Sequence, residues 1–282
     1  FGVTHTALNR LQQRKCEIVD TTCGSVLTVW KRVEYYAQNG FTTIIHGKYP
    51  HEETIAVCSQ ISKYPAAKYL VIKNATEGMS IADFIGGNIS KKEILRQFTG
   101  RYTTGFNPEN DLQKIGFANQ TTMLGGESRQ IAEIVREAFA ARYGEEQTER
   151  HFRSFDTVCS ATQDRQDAVR DLLAAGDLDM MMIIGGFNSS NTAQLMQIAS
   201  ESVSSFHIQD PGDLISKQEI RHQTFPAMKV RITDNWLPDG AVKIGITAGA
   251  STPTRKIGQV LYRLFELKNI PAHQIKRIVN AT

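Results

Sequence analysis

Hydrophobic and polar positions along this chain follow two periods that take turns. Short runs rich in branched and aromatic residues predict strands at Cys16–Val19, Phe41–Ile45, Tyr69–Ile72, Lys114–Ala118, Phe152–Val158, Met180–Ile184, Phe206–Ile208 and Val242–Ile246. Between them, apolar residues recur at helical spacing. That pattern predicts helices over Val26–Gln38, Glu53–Ile61, Ile81–Phe84, Lys91–Phe98, Gly126–Ala141, Gln163–Ala174, Thr192–Ser200 and Thr254–Phe265. Strands alternating with helices imply βαβ units and an α/β fold with mostly parallel sheets. Right-handed crossovers then gather the loops after the strands on a common edge, where ligands bind in such folds. A polar stretch, Tyr143-Gly144-Glu145-Glu146-Gln147, closes one long helix, and a new strand opens at Phe152, so a domain boundary is expected near residue 150. Gly100–Asp111 and the proline-bearing Pro211–Asp239 read as surface insertions.

Length and composition narrow the class. The 282 residues make room for two ordinary domains or one large α/β unit. With 41% hydrophobic and 22% charged residues, the chain is neither disordered nor fibrous. No apolar run is long enough to span a bilayer, and Phe1–Arg10 lacks the basic and apolar regions of a signal peptide. A net charge of +3 is too small and too dispersed for a nucleic-acid partner. Four cysteines do not make a disulfide scaffold, which favours a cytosolic setting. The chain opens on Phe1 with a strand candidate soon after, which suggests that a further N-terminal segment precedes it.

The loops after the strands carry the chemistry. Asp20-Thr21-Thr22-Cys23 and Asp156-Thr157-Val158-Cys159 repeat one pattern, D-T-x-C, each before a helix. A thiol at a helix N-terminus feels the positive end of the dipole, ionises more easily and becomes a nucleophile or a metal ligand. Burial is the commoner explanation for a lone cysteine, and it is the one adopted for Cys16 and Cys58. The matched pair tips the balance to function. His46-Gly47-Lys48-Tyr49-Pro50-His51-Glu52-Glu53 places two histidines and carboxylates on one loop, suited to a metal, or to an anion with a proton donor. Asn119–Thr122, Gly185–Thr192 and Thr247–Pro253 offer small hydroxyl and amide side chains at helix starts, in the manner of phosphate loops. One such residue is explained by capping, but Asn188–Thr192 offers five in a row. No G-x-G-x-x-G fingerprint follows a strand, and no Cys-x-x-Cys pairing suggests structural zinc.

Six segments in order, DTTC (20–23), HGKYPHEET (46–54), NQTTM (119–123), VCSATQDRQDA (158–168), GGFNSSNT (185–192) and GITAGASTP (245–253), resemble the LytB family of 4-hydroxy-3-methylbut-2-enyl diphosphate reductases, in its cyanobacterial and plant-like branch. The resemblance implies three α/β domains in pseudo-threefold arrangement around a [4Fe-4S] cluster, each giving one cysteine. Residues 1–23 would end the first domain, 24–150 would form the second and 151–282 the third. It further implies Cys23 and Cys159 as cluster ligands. His51, Ser189, Ser190, Asn191 and Ser251 would lie at the substrate diphosphate, Glu53 would be the proton-delivering acid and Thr121 would sit beside the substrate hydroxyl. His46 receives no role. The reaction implied is reductive dehydroxylation to isopentenyl and dimethylallyl diphosphate, with a ferredoxin or flavodoxin as electron donor. The setting would be cytoplasmic, or plastid stroma in a plant. The family's first cysteine lies in an N-terminal segment outside this chain, and Gly24 stands where the family usually has proline. Two other readings stand beside this one: a truncated, non-catalytic diphosphate-binding module, and a zinc hydrolase using His46, His51 and Cys23.

Overall fold

A computed structural model describes residues 2–271, which form two compact units that divide between Cys159 and Ser160. The first comprises α1 (His5–Gln13), α2 (Gly24–Gln38), β1 (Thr42–His46), α3 (Glu52–Ile61), β2 (Tyr69–Ile72), α4 (Ala75–Gly86), α5 (Lys91–Gln97), α6 (Pro108–Asp111), β3 (Ile115–Asn119), α7 (Gly125–Tyr143), α8 (Glu145–His151) and β4 (Phe152–Ser154). Its sheet, in the order β2-β1-β3-β4, is wholly parallel. Both faces are covered. Ile44, Leu70, Ile72 and Phe117 pack with Ile131, Val135 and Phe139 of α7, whereas Ile45, Val71 and Ala118 pack with Val29, Val33 and Tyr36 of α2 and Val57 of α3. Two covered faces explain why these strands read as near-continuous apolar runs.

The second unit comprises α9 (Ser160–Ala174), β5 (Met180–Ile184), α10 (Ser190–Ser200), β6 (Ser204–Ile208), a 3₁₀ turn (Pro211–Asp213), β7 (Glu219–Gln223), β8 (Val230–Asp234), β9 (Ile244–Ala248) and α11 (Thr254–Leu267). Its sheet runs β8-β7-β6-β5-β9, parallel at β5–β6 and β5–β9 and antiparallel beyond β6. The expected α/β class with mostly parallel sheets holds. In each unit the strand ends are level. His46 pairs with Asn119 and Ile72, and Ile184 pairs with Ile208 and Ala248, so the following loops leave from one edge of their sheet.

Four expectations need correction. Cys16–Val19 is not a strand: among the described residues no neighbouring strand offers it a ladder, Val19 is 79% exposed, and Cys16 is exposed rather than buried as expected. The residues before it form α1, whose His5 N–H donates to Ser59 Oγ of α3 at 2.9 Å. Phe152–Val158 stops as a strand at Ser154, because Asp156 turns the chain by accepting from the Val158 N–H. β4 hydrogen-bonds to β3 of the first sheet over Phe152–Ser154. The two segments read as surface insertions are structural. Residues 101–103 pair with Tyr69–Val71, and Phe106 is buried in the core. Pro211–Asp239 holds the β7–β8 hairpin and sends Leu214, Ile220, Trp236 and Leu237 into the second core.

Gly116 of β3 marks a tight point. A Cβ there would lie within 2.5 Å of three ring carbons of Tyr36, whose hydroxyl donates to the Phe117 carbonyl at 3.0 Å. Gly116→Ala is therefore expected to destabilise the first unit by about 1–3 kcal/mol, the usual range for overpacking a filled core. The denaturant midpoint checks this, and an unchanged midpoint would show that the Tyr36 pocket relaxes freely.

Candidate active site

In the first unit the site is built on the loops after β1 and β3. Glu53, in the first turn of α3, is fully buried. Its Oε1 accepts from the Thr121 N–H at 2.6 Å, and its Oε2 accepts from Thr121 Oγ1 at 3.0 Å. Burial pushes this carboxyl above its ordinary range, opposed by the two Thr121 donors. Thr121 also faces the other way: its carbonyl accepts from the Cys159 N–H at 3.0 Å. His51 is the N-cap of α3, with Nδ1 accepting from the Glu53 N–H at 3.2 Å. That bond leaves the proton of the neutral ring on Nε2. Burial, and then the Lys48 ammonium, hold the His51 pKa below its ordinary value. Lys48 and His51 are the ends of one turn, closed by the His51 N–H on the Lys48 carbonyl at 2.9 Å.

The two D-T-x-C segments share a local geometry. The Thr22 N–H donates to Asp20 Oδ1 at 2.9 Å, and the Val158 N–H donates to Asp156 Oδ1 at 3.0 Å. These Asx turns deliver each cysteine to the residue just before a helix, α2 and α9. Cys23 is exposed, and the Ser25 N–H at the start of α2 draws its thiol pKa down. Thr157 completes the edge of the sheet: its Oγ1 donates to the Asn119 carbonyl at 2.9 Å and accepts from the Asn119 N–H at 3.0 Å.

The second unit places its polar residues at the start of α10 and after β9. Ser189 is the N-cap of α10, accepting from the Thr192 N–H and from Thr192 Oγ1. Thr192 is the clamp between two loops, since a Cβ at either Gly185 or Gly249 would collide with its side chain. Ser190 and Asn191 are buried, yet Ser190 Oγ and both amide atoms of Asn191 have no hydrogen-bond partner. These three are adjacent among the buried polar atoms left without a partner in the described residues, and a polar ligand is one way to satisfy them. Ser251 is exposed beside Thr252, whose Oγ1 donates to the Ile184 carbonyl at 3.1 Å. Arg165 of α9 donates to the Ala248 carbonyl at 3.2 Å, which fastens the loop after β9 to that helix.

The profile of the LytB protein family matches residues 1–265. The chain belongs to the LytB family. It is 44% identical over 271 residues, 96% of its length, to the 4-hydroxy-3-methylbut-2-enyl diphosphate reductase of Gloeobacter violaceus. It is 43% identical over 269 residues, 95% of its length, to that of Trichormus variabilis. It spans 64% and 65% of the lengths of these two curated relatives. A solved reductase from Plasmodium falciparum shares the fold, with a TM-score of 0.63 at 18% identity, covering 94% of this chain and 65% of that one. Among the described residues no helix is long and apolar enough to cross a membrane.

Within this LytB chain, hydrogen bonds join Glu53, Thr121 and Cys159 into one run, and His51 caps the same helix turn as Glu53. His46 stands apart from them. It is fully buried, with Nδ1 2.8 Å from Ser128 Oγ, and burial pushes its pKa down to about 4. A neutral, walled-in imidazole is a packing group. Among the described residues no three His, Cys, Asp or Glu side chains group to hold a metal ion, so a zinc centre of His46, His51 and Cys23 is not assembled. Sequence reasoning missed the bridging part of Gln120, the Asn119–Thr157 lock and the Arg165 tie. Only the density of amide and hydroxyl residues in those segments hinted at them.

The two thiols at opposite extremes give a direct check. With iron chelated, alkylation of Cys23 should rise with pH through a midpoint below the ordinary thiol value, because its thiolate forms early. Cys58, buried and pushed up to about 12, should stay unreacted across the same range. Site-resolved mass spectrometry checks both, and a Cys23 midpoint at or above that of a free thiol would overturn the dipole argument.

Proposed function

We propose that the chain is the proton- and diphosphate-handling part of an iron–sulfur reductase. It would convert 4-hydroxy-3-methylbut-2-enyl diphosphate to isopentenyl and dimethylallyl diphosphate by reductive dehydroxylation. The observation that carries this reading is the run Glu53–Thr121–Cys159: one threonine gives its N–H and hydroxyl to a buried carboxyl and its carbonyl to the amide of a cysteine. A proton source and a soft metal ligand thereby share a single residue. The relatives carry this reductase name across nearly the whole of the present chain.

Cys23 and Cys159 fit a [4Fe-4S] cluster as donors: both precede a helix in the same Asx turn, and the Cys23 thiol ionises early. Bound there, the cluster would supply electrons one at a time and Lewis acidity toward the departing hydroxyl. Burial keeps the Glu53 carboxyl protonated beyond the ordinary range, so it can protonate that leaving oxygen. Thr121 Oγ1, already at Glu53 Oε2, orients the substrate hydroxyl and passes the proton. His51 offers Nε2–H to a phosphate oxygen. Ser189, Ser190, Asn191 and Ser251 add neutral donors for the diphosphate, supported by the unpartnered atoms of Ser190 and Asn191. In this reading residues 24–150 and 151–282 act as the second and third domains, and 1–23 as the end of the first. The electron donor is a small ferredoxin or flavodoxin, bound weakly and transiently in the cytoplasm, or in the stroma of a plant plastid.

Anaerobic reconstitution with iron and sulfide, followed by Mössbauer spectroscopy and turnover with a one-electron donor, tests the reading. Glu53→Gln is expected to retain cluster and diphosphate affinity while turnover falls about 10²–10⁴-fold, the usual contribution of a positioned proton donor. Turnover near wild type would move the proton source elsewhere. Diphosphate affinity with no bound iron would favour a non-catalytic binding module.

A further inference from the structure

We propose that Gln120 is a positioning residue for Glu53 and Thr121, fastening the loop that carries His51 and Glu53 to the loop that carries Thr121. Its kinetic consequence rests on the reductase reading above, but its structural consequence does not. Gln120 is fully buried, and three of the four hydrogen-bonding positions of its side chain are filled. Oε1 accepts from the Lys48 N–H at 3.1 Å and from Thr54 Oγ1 at 3.4 Å, and Nε2 donates to Thr122 Oγ1 at 2.8 Å. Its own N–H donates to the His46 carbonyl at 2.8 Å. Each of these side-chain bonds is made to the two loops themselves, which gives Gln120 a structural part beside the ligand-binding part expected of its loop.

The placement is specific. Thr54 follows Glu53 and Gln120 precedes Thr121, so the 54–120 contact runs directly beside the 53–121 contact. The two cross-links differ in kind. The one through Glu53 changes when the carboxyl gains or loses a proton, whereas an amide does not titrate and holds in either state. Gly47 keeps room for the bolt: a Cβ there would lie 2.9 Å from Thr54 Oγ1 and 3.2 Å from Gln120 Cβ. The Lys48 N–H bond reaches the turn that ends at His51, so one side chain sets the position of both the imidazole and the carboxyl.

The test substitutes Gln120→Met, which keeps the length of the side chain and removes its hydrogen bonds. In the 282-residue chain, the Thr121 amide proton should resonate far downfield in the wild type, as expected of a short bond to a carboxylate, with Glu53→Gln as the reference for its loss. In Gln120→Met that signal should move toward the Glu53→Gln position and exchange with solvent at least about tenfold faster, while amides of the second unit stay unchanged. In the reconstituted enzyme kcat should fall about tenfold or more with KM nearly constant, the split expected of misplacement and not of lost binding. A Thr121 signal unmoved in a folded Gln120→Met protein overturns the proposal. If that variant does not fold, Thr122→Val removes only the acceptor of Nε2, and it must shift the Thr121 signal the same way; an unmoved signal there overturns the proposal equally. Absence of turnover in the reconstituted wild type would count against the reductase reading alone, since the amide signal is decided without it.

Discussion

A carboxyl with no access to water governs the first unit. Glu53 cannot be ionised cheaply in a buried site, and the two donors of Thr121 are what make its charged form tolerable at all. The amide of Thr121 can only donate, whereas its hydroxyl can donate to a carboxylate or accept from a carboxylic acid. The pair therefore survives both protonation states with a rotation of one hydroxyl. That tolerance needs the two loops to stay in register through the change. The level ends of β1 and β3, the His51 cap and the Gln120 bolt all serve that requirement.

The parts of this arrangement legible in the sequence were those set by local chemistry. Strands covered on both faces announce themselves as apolar runs, and Tyr69–Ile72 and Met180–Ile184 coincide with their predicted limits. The repeated D-T-x-C could be noticed because an Asx turn is a local event, made by an aspartate with an amide two residues on. The first copy, however, was expected after a strand. Cys16–Val19 has the composition of one but lacks a neighbour to pair with, and composition cannot supply a ladder. Pro211–Asp239 failed in the opposite sense. Its prolines dominated the reading, while the alternation of Glu219-Ile220-Arg221-His222-Gln223, which buries Ile220 and His222 on one face, is the ordinary signature of a half-covered antiparallel strand. Gln120 was hidden for a different reason: two of its partners, Lys48 and Thr54, reach it only once two crossovers have been made.

The second unit solves a different problem with the same economy of side chains. Thr192 fills the space that Gly185 and Gly249 leave open, so the loops after β5 and β9 are held at one distance by one small residue. Ser189 spends its oxygen on that residue and on the helix cap. Ser190 and Asn191 then face inward with their polar atoms unspent. Each such group costs about 1–3 kcal/mol when buried without a partner. Three such groups side by side carry a stability cost that the diphosphate proposed above would offset.

The diphosphate donor proposed for the first unit, His51, is neutral, and the reason returns to Glu53. Arginine or lysine side chains directly at the carboxyl would bind a diphosphate well, but they would also stabilise the carboxylate and strip Glu53 of the proton it is proposed to deliver. His51 avoids this conflict. Its lowered pKa keeps the ring uncharged two residues from Glu53, and its cap bond fixes Nδ1 at the start of the helix. A bound polyanion would then raise the carboxyl further, by like-charge repulsion unopposed by a neighbouring cation in direct contact. If the diphosphate binds as proposed, its binding and retention of the Glu53 proton reinforce one another, and an arginine or lysine in the place of His51 would set them in opposition.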